Sequence, residues 1–101
     1  MQNQFRGVIR IPSGKIEMEA MLFIPSRSKS IVIFSHGSGS SRFSSRNNFI
    51  AGILQDQGIS TCLLDLLTEK EDKIYSNRFN IELLTERLID ATKFITSLRK
   101  C

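Results

Sequence analysis

The stretch "IVIFSHGSGSSR", residues 31–42, constrains this chain more than any other. Residues 31–34 are apolar on both faces of an extended chain, as in a strand covered by helices on both sides. A glycine- and serine-rich loop follows, and glycines at a strand exit let a ligand come close to the backbone. Beyond it, Ser44 or Ser45 can cap a helix at about 45–57 that carries Phe49, Ile50, Ile53 and Leu54 on one side. Gly58 stands where a left-handed helix terminator belongs. A second apolar run, "ISTCLLDL", predicts a strand at about 59–66. Strand, helix and strand in this order define a parallel α/β unit.

The flanking segments extend that unit. Residues 5–11 read as a strand, with a turn at Pro12-Ser13-Gly14. From residue 15 the chain alternates, with Lys15, Glu17 and Glu19 on one face and Ile16, Met18 and Ala20 on the other. Period 2 with one polar face predicts an antiparallel strand, so residues at about 5–24 form a hairpin that stops at Pro25. The first parallel strand is expected at about 30–35. Residues 67–79 are charged and read as an irregular link. A helix at about 80–98 follows, with Asn80 as its cap and Leu84, Leu88, Ala91, Ile95 and Leu98 as one apolar stripe. The expectation is a single α/β domain over residues 1–101: an antiparallel hairpin, then β-α-β-α with helices on the sheet faces. A further parallel strand would be needed to continue the pattern.

Composition narrows the function classes. The 101 residues carry 14 basic and 10 acidic side chains, a net charge of +4 spread along the chain. No Lys/Arg cluster marks a nucleic-acid partner, and no apolar run approaches the roughly 20 residues of a membrane span. The two cysteines and single histidine build neither a disulfide framework nor a metal site. These features predict a cytoplasmic chain with no cofactor, no nucleic-acid partner and no membrane partner. Cys62, inside an apolar strand, reads as a buried inert thiol.

Three chemistries compete for the loop. A phosphate loop of Walker type needs Gly-Lys-Ser/Thr, and the only Gly-Lys pair, Gly14-Lys15, sits in the hairpin turn. A dinucleotide loop fits Gly37 and Gly39, but Arg42 stands where the third glycine belongs. Its acidic partner, Asp65, also lies well beyond the usual distance of about 20 residues. The acyl-transfer reading fits better. The loop after the third strand of such enzymes carries a His-Gly pair and gives a backbone N–H to the oxyanion. Here that pair is His36-Gly37, and small residues let the peptide reach the developing charge.

With "IVIFSHGSGSSRFSSRNNF", "LQDQGISTCLLDLLTEKED" and "FNIELLTERLIDATKFI" the chain resembles the N-terminal part of dienelactone-hydrolase-like α/β-hydrolases, from about residue 15 to 97. The resemblance implies that His36, Gly37, Ser38 and Gly39 form the oxyanion loop. It also implies that Arg42 stands at the pocket rim, either reading an anionic substrate group or bracing the loop. Asp65 would take a structural role at a strand end, and the parent substrate would be a small acyl compound such as an ester or lactone.

The departure from that family is as informative. No G-x-S-x-G elbow occurs, and "GISTC" enters a strand rather than leaving one. His36 is the only histidine, so a Ser-His-Asp triad cannot be assembled from loop architecture and base at once. The chain is therefore expected to be inactive alone. In the family's strand order the next strand lies beside residues 31–34, so without it that edge is open to self-association or to a complementing C-terminal half. Two alternatives remain at this stage: a small anion- or nucleotide-binding module using residues 37–42, and a non-catalytic interaction protein.

Overall fold

The computed structural model describes residues 4–36 and 44–98, and for His36 the backbone alone. Four strands form one sheet in the order β1-β2-β4-β3: β1 (Phe5–Ser13), β2 (Ile16–Ile24), β3 (Ile31–His36) and β4 (Ser60–Asp65). Helix α1 (Ser45–Asp56) joins β3 to β4, which pair in parallel, while β2 pairs antiparallel with both β1 and β4.

The hairpin closes through Gly14 and Lys15, with Ser13 opposite Ile16 and Gly14 at φ +60°. Glycine first in a two-residue loop relieves the positive φ that such loops require. The turn expected at residues 12–14 is thus displaced: Pro12 belongs to β1, opposite Glu17. Because β1 is a sheet edge, a proline there costs no ladder bond.

Alternation divides the core between two faces. On one face Ile11, Met18, Ala20, Leu22, Cys62 and Leu64 pack with Leu66 and with Ala91 and Ile95 of α3 (Ile81–Leu98). On the other face Phe23, Thr61 and Leu63 are buried, and the Arg6 guanidinium lies 4.3 Å over the Phe23 ring. There α1 docks through Ala51, and Gln55 Nε2 donates to Thr61 Oγ1 at 2.8 Å.

Local signals set the helix ends. Ser44 Oγ accepts from the Asn47 N–H at 3.2 Å. At the other end of α1 the N–H groups of Gly58 and Ile59 donate to Gln55 O and Leu54 O, both at 3.0 Å, with Gly58 at φ +80°. That is a Schellman closure, which a glycine at this position makes without strain. Asn80 Oδ1 caps α3 by accepting from the Leu83 N–H at 3.1 Å.

Two expectations are corrected. The charged link is not irregular: α2 (Glu69–Asp72) and a 3₁₀ turn (Tyr75–Phe79) occupy most of it. The stripe assigned to α1 is not a core face, because Phe49 is 70% exposed and Ile53 50% exposed, and Ala51 is that helix's only buried residue. An apolar stripe needs a covering surface, and none of the described residues supplies one.

Candidate functional site

Open parallel sheets bind ligands outside the carboxyl ends of their strands. Here β3 and β4 run in register over six residue pairs and end together, His36 opposite Asp65. The candidate loop leaves the sheet at this point and returns as Ser44, the cap of α1. Asp65 is buried at the strand end. Gly37, Ser38, Gly39 and Arg42 lie outside the described residues, as does the His36 side chain. The structure therefore fixes the two ends of the loop and the partner strand beside it.

The first turn of α1 contains no acidic residue, so the partial positive charge of that helix end meets no carboxylate within the turn. An anion near this end would be stabilised, which suits both an oxyanion and a phosphate.

Directly after β4 lies a cluster that sequence periodicity missed. Arg87 lies on the packed face of α3 between Leu84 and Ala91, with its side chain 7% exposed. Its Nη1 donates to Leu66 O at 2.9 Å and to Glu71 Oε1 at 2.7 Å, and its Nη2 donates to Glu71 Oε2 at 2.6 Å. Glu71 Oε1 also accepts from the Thr68 N–H at 3.0 Å, while Thr68 Oγ1 accepts from the Glu71 N–H at 3.1 Å. This reciprocal pair is a capping box on α2. The Arg87 hydrogen bonds hold the Glu71 carboxyl down at about 2, against an ordinary value of 4.5. Glu71 in turn raises Arg87. The signal was present in the sequence as Thr-x-x-Glu over residues 68–71. It went unread because a stripe counted in apolar residues passes over an arginine.

Other groups are set aside by their surroundings. Burial pushes the Cys62 thiol up to about 12, so it remains protonated and inert near neutral pH. An open cavity of about 270 Å³ is lined by Ile24, Ser28, Ile31, Ser60, Ile95 and Leu98. Ile31 and Ser60 begin their strands, so this cavity is at the opposite end of the sheet from the loop. Its two hydroxyls bond each other, Ser60 Oγ to Ser28 Oγ at 2.6 Å. Among the described residues no group of three or more His, Cys, Asp or Glu could hold a metal ion. No helix among them is long and apolar enough to cross a membrane.

The strand order, the helix between parallel strands and the loop at their carboxyl ends define the N-terminal part of an α/β-hydrolase. A dienelactone hydrolase from Anabaena variabilis superposes on 92% of this chain with TM-score 0.83 and 40% identity, and the chain covers 45% of it. The chain is the N-terminal part of a dienelactone-hydrolase-like fold. Est1E from Butyrivibrio proteoclasticus shares the fold, with TM-score 0.72 at 14% identity over 89% of this chain and 35% of its own. Proteins from two strains of Mycobacterium tuberculosis, provisionally named phosphoribosyl transferases, are each 42% identical over 89 residues. That match takes in 88% of this chain, which spans only 20% of their length. No family model matches the chain.

Proposed function

We propose that this chain supplies the oxyanion-loop half of a hydrolase acting on an ester, lactone or similar acyl bond, and that it is inactive without further sequence. The observation that carries the reading is His36, which ends β3 opposite Asp65 and is followed in the sequence by Gly37, in a chain 40% identical to a dienelactone hydrolase of the same fold. In the reaction a nucleophile attacks the acyl carbon, and the carbonyl oxygen takes up negative charge. Backbone N–H groups at residues 37–39 would receive that charge, with Arg42 at the rim of the pocket. The nucleophile and its histidine base must come from elsewhere, because the 101 residues contain one histidine and no elbow motif. The natural partner is a C-terminal half that adds a parallel strand beside β3, and the expected compartment is the cytoplasm.

The test is p-nitrophenyl ester hydrolysis by the purified chain, and by a chimera joining it to the remainder of the Anabaena hydrolase. The chain alone should show no saturable turnover, and the chimera should be active. Ser38→Pro removes one N–H and should lower the chimera's kcat by about 10²–10³-fold. Saturable hydrolysis by the 101 residues, abolished by replacing one serine, would overturn the reading.

Phosphoribosyl transfer is the rival suggested by the mycobacterial relatives. The matched region is one fifth of those proteins and folds here as a hydrolase segment, so we assign any transfer chemistry to their other four fifths. Calorimetric titration of this chain with phosphoribosyl pyrophosphate should give no binding heat.

A further inference from the structure

An unpaired strand edge is a template for another chain unless the sequence blunts it. β1 is such an edge: β2 pairs it on one side, and among the described residues no strand lies on the other. The strand is nine residues long, and its pairing runs without a bulge from Phe5 opposite Ile24 to Ser13 opposite Ile16. In a hairpin closed by a two-residue loop, the pair flanking the loop exchanges both backbone bonds, and every second pair repeats it. Ser13, Ile11, Ile9 and Gly7 therefore bond to β2, while Pro12, Arg10, Val8 and Arg6 turn their backbone groups outward. Pro12, which has no N–H, falls in the outward set. It closes one end of the edge and leaves residues 6–10 with donors and acceptors for a further strand.

Arg6, Val8 and Arg10 share one face of the sheet, and all three are exposed, Val8 at 49%. β2 shows what suits this row. Arg10 stands opposite Glu19 and pairs with it at 3.6 Å, Val8 stands opposite Met21, and the Arg6 guanidinium lies over Phe23. The Arg10 side chain is still 64% exposed, so a guanidinium with five N–H groups can serve a second carboxylate. A second copy is a poor occupant. Two β1 strands paired antiparallel in full overlap set Arg6 against Arg10, like charges directly opposite. The same two arginines attract an acidic strand, so the row disfavours itself and selects a partner by charge.

We propose that residues 6–10 of β1 form a docking edge for an extended acidic segment of a partner protein. The segment adds as an antiparallel strand, with carboxylates opposite Arg6 and Arg10 and an apolar or β-branched residue opposite Val8. Backbone bonds supply the attachment, and the two arginines supply the choice of partner. β1 and β3 are the two outer strands of the order β1-β2-β4-β3, so this docking is independent of the acyl chemistry and of any strand laid beside β3.

The experiment titrates the wild-type chain with the peptide Thr-Glu-Thr-Val-Thr-Glu-Thr and with its counterpart carrying lysine for both glutamates, followed by amide NMR. The glutamate peptide should shift the amides of Arg6, Val8 and Arg10, slow their hydrogen exchange, and bind about tenfold or more tightly than the lysine peptide. Raising salt from roughly 0.05 to 0.5 M should shrink that preference. The glutamate peptide N-methylated at its glutamates and valine should not bind, because it lacks the donors that face β1. In the chain carrying both Arg6→Glu and Arg10→Glu the preference should reverse. If that variant does not fold, the three peptides on the wild-type chain decide alone. Equal binding of the methylated peptide would reduce the edge to a charge contact, and shifts at residues 31–35 in place of 6–10 would put the strand on β3. No shift at millimolar peptide would leave Arg6, Arg10 and Pro12 as guards against self-pairing. Each of these three results would overturn the proposal.

Discussion

The two parallel strands read alike in sequence and fare differently in the fold. Both are apolar runs of about equal length, yet all six residues of β4 are buried, while β3 is half-buried with Val32 exposed. The difference is position: β4 has a hydrogen-bonded neighbour on each side and a helix on each face, and β3 is the last strand of the sheet. Their carboxyl ends differ in the same direction. The exit of β4 is held by Arg87, Glu71 and Thr68, whereas β3 leads into a loop bounded by α1, whose Phe49 and Ile53 face solvent. Among the described residues one side of the molecule is finished and the other is left open.

Breaking the finished side should have the largest effect. Arg87→Met leaves the Glu71 carboxylate partly buried without its partner, and should cost about 3–5 kcal/mol in urea unfolding. A loss below about 1 kcal/mol would mean that the corner is not closed in solution.

Acid attacks the same corner. Glu71 titrates at about 2 when folded against about 4.5 when free, so folding favours its charged form. The sign follows: the stabilisation is fully present above pH 4.5 and is lost as pH falls from there towards 2. Its size is on the order of 3 kcal/mol. Glu71→Gln should therefore flatten that part of the stability–pH curve, and a curve unchanged in slope would reassign the acid sensitivity to other carboxylates.

A smaller effect is expected from Thr68→Ala, about 1 kcal/mol, because it removes one side of a capping box and leaves the ion pair. Hydrogen exchange at the Glu71 amide should rise while β4 stays protected.

How much of this was legible in the sequence follows the same division. The hairpin face Met18-Ala20, the buried run 60–65 and the stops at Ser44, Gly58 and Asn80 could be read because each depends on local chemistry. Alternation, a cap hydroxyl and a positive-φ glycine act within a few residues. The α1 stripe was legible as a stripe but not as exposed, because exposure depends on a surface that the chain does not contain among its described residues. Arg87 was hidden for the opposite reason: its partner stands 16 positions away in a segment that looks like a charged linker. Near the candidate site, the strand ends at His36 and Asp65 could be placed from spacing alone. The Arg87 corner after β4 needed the fold.

The smallest expected effect carries the comparison furthest. Ile53→Gln on α1 should change the stability of the monomer by no more than about 0.5 kcal/mol, since the side chain is half-exposed and gives up little burial. Val32→Lys on the edge strand should be similarly mild in a dilute melt, because a charge on a free edge meets water rather than core. Both should, however, lower self-association measured by sedimentation at high protein concentration. Such association is what an apolar edge flanked by an uncovered helix face would produce. If Ile53→Gln instead costs 2 kcal/mol or more, the α1 face is already covered in solution, by a second copy or by the chain itself. If neither substitution changes stability or association, the β3 side is inert alone and acquires its role only when the remaining strands of a hydrolase are laid beside it.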